Sequence, residues 1–74
     1  MNSKLVELDA RELEPPRPLM EALAATAVLP TGATLRLHTR WRPALLYDEL
    51  EKRGFIAESE AQSDGSFITH IHHS

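Results

Sequence analysis

Not one cysteine occurs among the 74 residues, and that absence narrows the architecture before any periodicity is read. A chain this short buries only about 60% of its unfolded surface. Many chains of this size compensate with disulfides or thiolate-held metals. Neither device is open here, so the core has to come from matched helix and sheet packing. The same absence removes thiol nucleophiles, persulfide carriage and cysteine-held iron–sulfur clusters. One domain, spanning residues 1–74, is expected.

The remaining composition fits a globular chain: 42% of residues are hydrophobic and 26% charged, which is unlike a disordered segment. The longest mainly apolar stretch, Leu23 to Leu29, is far too short to cross a bilayer. Lys4 is followed by an acidic run rather than an apolar one, which is not a signal-peptide pattern. A cytoplasmic location with no membrane partner is therefore expected. The formal charge of −3 argues against general nucleic-acid binding. The charge is uneven, however. Residues 30–42 contain Arg36, Arg40 and Arg42 and no acid. They read either as solvated strand and loop arginines or as a small anion-binding patch.

Lys4 to Asp9 alternates, with Val6 and Leu8 on one face, as a strand does. Pro15, Pro16 and Pro18 fit the first turn of a helix, where amides lack partners in any case. The helix runs from Arg17 to Val28, with Leu19, Met20, Leu23 and Ala27 at helical spacing, and Pro30-Thr31-Gly32 ends it. Ala33 to Thr39 alternates again, Leu35 and Leu37 opposite Thr34, Arg36 and His38. Pro43 opens a second helix to about Arg53, with Leu46 and Leu50 as its core stripe and Leu45 and Tyr47 beside it. Lys52 and Arg53 suit the negative end of that helix, and Gly54 supplies a left-handed cap. Phe55 to Ala61 and Phe67 to His73 are strands joined across Ser63-Asp64-Gly65-Ser66, where Asp-Gly is a strong hairpin signal. The order is β-α-β-α-β-β. Its first two strands should be parallel with a right-handed crossover, and the last two antiparallel. Two helices cannot cover both faces of four strands, so an α+β sandwich of two layers is expected, with both helices on one face. The other face stays open, which an antiparallel component tolerates.

The segment Leu8-Asp9-Ala10-Arg11-Glu12-Leu13-Glu14-Pro15-Pro16-Arg17-Pro18 resembles the signature of the TusA/SirA-like small sulfur carriers, Leu-Asp-x-x-Gly-Leu-x-Cys-Pro-x-Pro. It is in register at Leu8, Asp9, Leu13, Pro16 and Pro18. The resemblance covers nearly the whole chain and implies a mixed sheet in the order 1-2-4-3. Glu12 stands at the family's glycine and Pro15 at its sulfur-bearing cysteine. Proline has no thiol, so the sulfur relay does not carry over. The chain is more similar to an uncharacterised branch of that superfamily, a domain of unknown function of the form Leu-Asp-x-Arg-x-Leu-x-Pro-Pro-x-Pro. Leu8, Asp9, Arg11, Leu13, Pro15, Pro16 and Pro18 fit it. Pro43, Leu46, Tyr47, Leu50, Arg53, Gly54 and Phe55 fit it in the second half. That resemblance implies an association with hemerythrin-like domains and nitrogen-oxide metabolism, but no reaction.

Three groups of residues are candidates for chemistry. The loop from Asp9 to Pro18 gathers Arg11, Glu14, Pro15 and Arg17 at a helix start. Such ends bind anions, but here prolines remove donors and Glu12 and Glu14 already bring negative charge. The loop is either a rigid lead into the helix, with Asp9 or Glu14 bonding free amides and Arg11 bridging them, or a stiff docking surface that loses little entropy on binding. His38, His70 and His72 share the open face if the order 1-2-4-3 holds, with His38 set beside His70. Imidazoles so placed suit zinc, nickel or copper, although Arg36 nearby would oppose a cation; the other reading is exposed, unpaired histidines. Trp41, between Arg40 and Arg42, is either a lid on the core edge or an exposed interface anchor.

No Ser-His-Asp arrangement, phosphate loop or two-His-Glu helix occurs. The expectation is a non-enzymatic protein-interaction or regulatory module using Arg11, Glu14, Pro15, Arg17, Trp41 and Arg42, without a cofactor. Its partner would be a hemerythrin-like or other redox protein, and the open face offers a homodimer surface. The alternative is a histidine-based zinc- or nickel-binding domain on His38, His70 and His72.

Overall fold

The computed structural model describes residues 4–74. Six elements follow one another: β1 (Lys4–Asp9), α1 (Arg17–Ala27), β2 (Ala33–Thr39), α2 (Ala44–Lys52), β3 (Phe55–Ala61) and β4 (Phe67–His73). They form an α+β fold with one mixed sheet in the order β1-β2-β4-β3. β1 pairs parallel to β2, from Lys4 beside Ala33 to Asp9 beside His38. β4 runs antiparallel to both β2 and β3. The α+β expectation and the 1-2-4-3 order therefore hold.

The core lies where alternation places it. Leu35 and Leu37 of β2 and Ile71 of β4 are wholly buried. They meet Leu46 and Leu50 of α2 and Ala22 of α1, with Val6 and Leu8 of β1 packed at the margin. Each of the large side chains contributes roughly 1.5–3 kcal/mol by leaving water. The apolar stripe of α1 is rotated from the expected one. Ala22 and Thr26 are its buried positions, and Met20 is largely exposed. A threonine can stand there because its hydroxyl donates to the Leu23 carbonyl at 2.9 Å, one turn back, so no polar atom is left unpaired.

Gly54 adopts φ +85° just past α2, the left-handed cap that glycine allows without a Cβ clash. The hairpin works differently from a two-residue Asp-Gly turn. Gln62 donates its amide to Ser66 across the loop at 2.8 Å, leaving Ser63, Asp64 and Gly65 between. Only Gly65 has positive φ, so Asp64 cannot sit in a type I′ turn, which needs two such residues. Asp64 instead accepts the Ser66 amide at 3.0 Å and the Ser66 hydroxyl at 2.6 Å. These two bonds hold the Asp64 carboxyl below its usual pKa.

One polar arrangement ties the helix layer to the sheet, and a second fixes the turn after β1. Beneath α2, the Tyr47 hydroxyl meets Ser59 of β3, and Ser59 meets Thr69 of β4 at 2.7 Å. Thr69 is wholly buried, so its hydroxyl depends on that link. At the end of β1, Asp9 accepts the Arg11 amide at 3.1 Å, Arg11 Nε at 2.9 Å and Arg11 Nη2 at 2.7 Å. The side-chain bonds, then the amide, hold the Asp9 carboxyl far below the usual carboxylate range.

Ser59→Ala strands the Thr69 hydroxyl and is expected to cost about 1–3 kcal/mol in urea unfolding. Adding Thr69→Val removes the stranded group and should recover part of the loss. A double variant no more stable than Ser59→Ala would show that Thr69 finds another partner. Asp9 and Arg11 are both about half exposed, so solvent screens their pair and it contributes little to stability. A lowered folded pKa means that this contribution is present above the unfolded value of about 3.9 and is lost as pH falls below it. The stability gap between the parent and Asp9→Asn should therefore be present at neutral pH and close in strong acid. A gap constant across that range would contradict the assignment.

Candidate functional site

β2 and β1 are parallel, so their C-terminal ends lie at the same edge of the sheet. Each is followed by a loop that leads into a helix. The two loops are the proline-rich segment and the segment around Trp41, and they converge. Between them lies an apolar groove of about 270 Å³. Pro15, Pro16, Pro18 and Leu19 form one wall, and Trp41, Arg42, Pro43 and Leu45 the other. The buried residues Leu37, Thr39 and Leu46 lie at its base.

Local bonds fix both walls. Leu13 and Arg17 donate their amides to the carbonyls of Ala10 and Glu14, at 3.2 and 2.8 Å, which folds the proline loop into two successive turns. The Pro15–Pro16 peptide bond is cis. Across the groove, the buried Thr39 hydroxyl donates to the Trp41 carbonyl at 2.7 Å. The Arg42 guanidinium lies over the Phe67 ring, 5.4 Å from its centre, within cation–π range. Trp41 nevertheless stays 57% exposed and Leu45 74% exposed. Trp41 is thus no lid sealed over the core. It is an aromatic wall with an open face.

Neither helix start carries a side-chain cap or an acidic residue in its first turn. The expectation that Asp9 or Glu14 would bond the first helical amides is corrected here. Asp9 is taken up by Arg11 in the preceding turn, and Glu14 contributes its backbone carbonyl, to Arg17. Pro16 and Pro18, which have no amide hydrogen, leave little for a side chain to cap.

Of the residues singled out in the sequence, Pro15, Trp41 and Arg42 line the groove. Arg17 is exposed between two lining prolines. Glu14 is exposed just outside it. Arg11 faces elsewhere, into a polar hollow with Glu12, Arg40, Asp64 and Ser66. There Arg40 Nε donates to the Arg11 carbonyl at 2.6 Å and Nη2 lies 3.9 Å from Glu12. Leu45 and Leu19 were not singled out for function. Leu45 was legible only as a flank of the α2 stripe, yet it is largely exposed at the groove wall.

The histidines lie on the open face as expected, but their pairing differs. Arg36, not His38, stands opposite His70, and His72 is opposite Thr34. This register lies two residues away from the one that joins His38 to His70. His38 Nε2 instead meets the Ser66 hydroxyl at 2.8 Å. That hydroxyl donates to Asp64, so His38 supplies the hydrogen of its own contact. Among the described residues no three His, Asp or Glu side chains are grouped as metal ligands. The Asp64-Ser66-His38 chain also differs from a nucleophilic triad. The serine is 6% exposed and its proton points to the carboxylate rather than to the imidazole.

No helix among the described residues is long and apolar enough to cross a membrane. None of the curated proteins matches this chain. Among solved structures it is similar to the crystal structure of a SirA-like protein from Desulfitobacterium hafniense, with a TM-score of 0.77 at 19% identity, over 89% of this chain and 93% of that one. At that identity the likeness shows the fold. Residues 7–73 match the family described as "Uncharacterized conserved protein (DUF2249)", and the chain belongs to it.

Proposed function

We propose that this protein is a non-enzymatic interaction module on a SirA-like fold, docking a partner protein in the groove between the proline loop and Trp41. The observation that carries this reading is the convergence of the two loops on one apolar groove in which two large apolar side chains, Trp41 and Leu45, remain exposed. Exposed aromatics beside a preformed pocket are the residues on which binding energy concentrates. The prolines and the Thr39–Trp41 bond hold the walls in place beforehand, which lowers the ordering cost of binding. No nucleophile lines the groove, and Pro15 cannot act as one. The family resemblance makes an iron- or redox-handling protein, such as a hemerythrin-like one, the partner class to test first.

The histidine-based metal alternative draws less support, because Arg36 places a cation beside His70 and His38 is bonded to Ser66. Zinc titration of tag-free protein separates the readings. A docking module is expected to show no sub-micromolar zinc binding, whereas saturable uptake that is lost in His70→Ala/His72→Ala would favour the metal site.

The docking reading is tested by placing a photoreactive phenylalanine at position 45, in the groove, and separately at position 28. Val28 is 79% exposed at the C-terminal end of α1. Cross-linking to a candidate partner is expected from position 45 alone, and it should fall about tenfold when Trp41→Ala is added. Circular dichroism should show the variant folded, since Trp41 is mostly in solvent. Equal yields from both positions, or indifference to Trp41→Ala, would sink the proposal.

A further inference from the structure

We infer that the groove takes a short acidic segment of a partner protein, anchored by one or two bulky apolar side chains; this rests on the docking reading and names the chemistry of its occupant. The argument is charge complementarity around an apolar slot. Arg11, Arg36, Arg40, Lys52 and Arg53 all form ion pairs among the described residues. Arg17 and Arg42 form none; Arg42 lines the groove, and Arg17 is exposed between the lining prolines Pro16 and Pro18. No acid lines the groove. Lys4, also without an ion pair, stands at the opposite end of β1.

The two helix starts add to this field. α1 has 11 residues and α2 has 9, and both begin at the groove with no acid in their first turns and no side-chain cap. Carboxylates are favoured at such ends. In a chain with a net charge of −3, the groove is thus a local positive rim around an apolar floor. An apolar anchor would occupy the slot beside Trp41 and Leu19. Its acidic neighbours would then face Arg42 on one wall and Arg17 beside the other. A basic or neutral segment would bury the same anchor but offer no carboxylate to Arg17 or to Arg42, whose guanidinium already lies over Phe67. Such juxtapositions set specificity and association rate more than raw affinity. Glu14, exposed beside Pro15, is the one acid on the flanking turn and works weakly against the occupant.

Trp41 is the only tryptophan, so its fluorescence reports on the groove directly. The probes are three end-blocked octapeptides: Asp-Glu-Leu-Asp-Asp-Phe-Glu-Asp, the same peptide with each acid replaced by its amide, and the same with each acid replaced by Lys. The acidic peptide is expected to shift Trp41 emission to the blue and to bind at least about tenfold more tightly than the other two. Its affinity should fall as salt rises, because exposed charges are screened. Arg17→Glu/Arg42→Glu, which keeps Trp41, should abolish most of that preference, and Glu14→Gln should strengthen binding slightly.

Equal binding of all three peptides, or an unchanged preference in Arg17→Glu/Arg42→Glu, overturns the acidic assignment and leaves groove docking standing. A Trp41 shift that depends on protein concentration without peptide, with a dimer in sedimentation, assigns the groove to a second copy and overturns it too. If no peptide perturbs Trp41 while cross-linking from position 45 still depends on Trp41, this inference fails and the docking reading survives. Loss of both signals removes both.

Discussion

The pairing of β2 with β4 is the interaction on which the rest depends. β1 reaches the sheet only through β2, and β3 only through β4. The four residues Leu35, Leu37, Thr69 and Ile71, all without exposed surface, form the floor on which both helices rest. A slip of one residue in this pairing would turn those side chains to the open face. A slip of two would keep the core but change which side chains meet in the open. The register that is present puts Leu37 beside Thr69 and Arg36 beside His70. The buried Thr69 is admitted by its bond to Ser59, and through Ser59 it is linked to Tyr47 on α2. The sheet pairing and the placement of α2 are therefore one constraint seen from two sides.

Much of this was legible in the residues. Strand alternation at Leu35 and Leu37, the Pro43 and Gly54 boundaries of α2, and the loop signal at Asp64-Gly65 each have a local physical cause, and each lies where that cause puts it. The sheet order was not local. It came from the resemblance carried by Leu8, Asp9, Leu13, Pro16 and Pro18. The α1 stripe was misread because Thr26 looks polar in a list and is buried in fact. Its hydroxyl returns to its own helix backbone, which periodicity alone does not reveal. The histidine pairing was misread because cross-strand register is a long-range quantity. It is settled by how β4 packs against β2, with Leu35 beside Ile71 and Leu37 beside Thr69, and no local signal in either strand fixes it.

The site was legible in halves. Pro15 with Arg17 and Trp41 with Arg42 were each recognisable as a stiff or exposed segment. Nothing in either segment says that the two meet. Their meeting follows from parallel β1 and β2, since each strand leaves the sheet at the same edge and each is followed at once by a helix. Leu45 reads in the sequence as a flank of the α2 stripe, and its place in the groove wall follows only from the same meeting of the two loops.

Pro15 gives this edge its chemical character. The resemblance aligns it with the cysteine of the small sulfur carriers, where a helix start serves a reactive atom. In this chain Pro15 removes the thiol, and together with Pro16 and Pro18 it removes amide hydrogens from the same turn. The turn thereby loses both the nucleophile and most of the donors that would cradle a small anion. What remains is rigid apolar surface, facing an equally apolar wall at Trp41 and Pro43. The positive character of this edge comes from the arginine side chains together with the two uncapped helix starts. A cradle of fixed amides selects one anion, whereas the proposed occupant, a stretch of acidic chain, would be met by an apolar slot with arginines beside it.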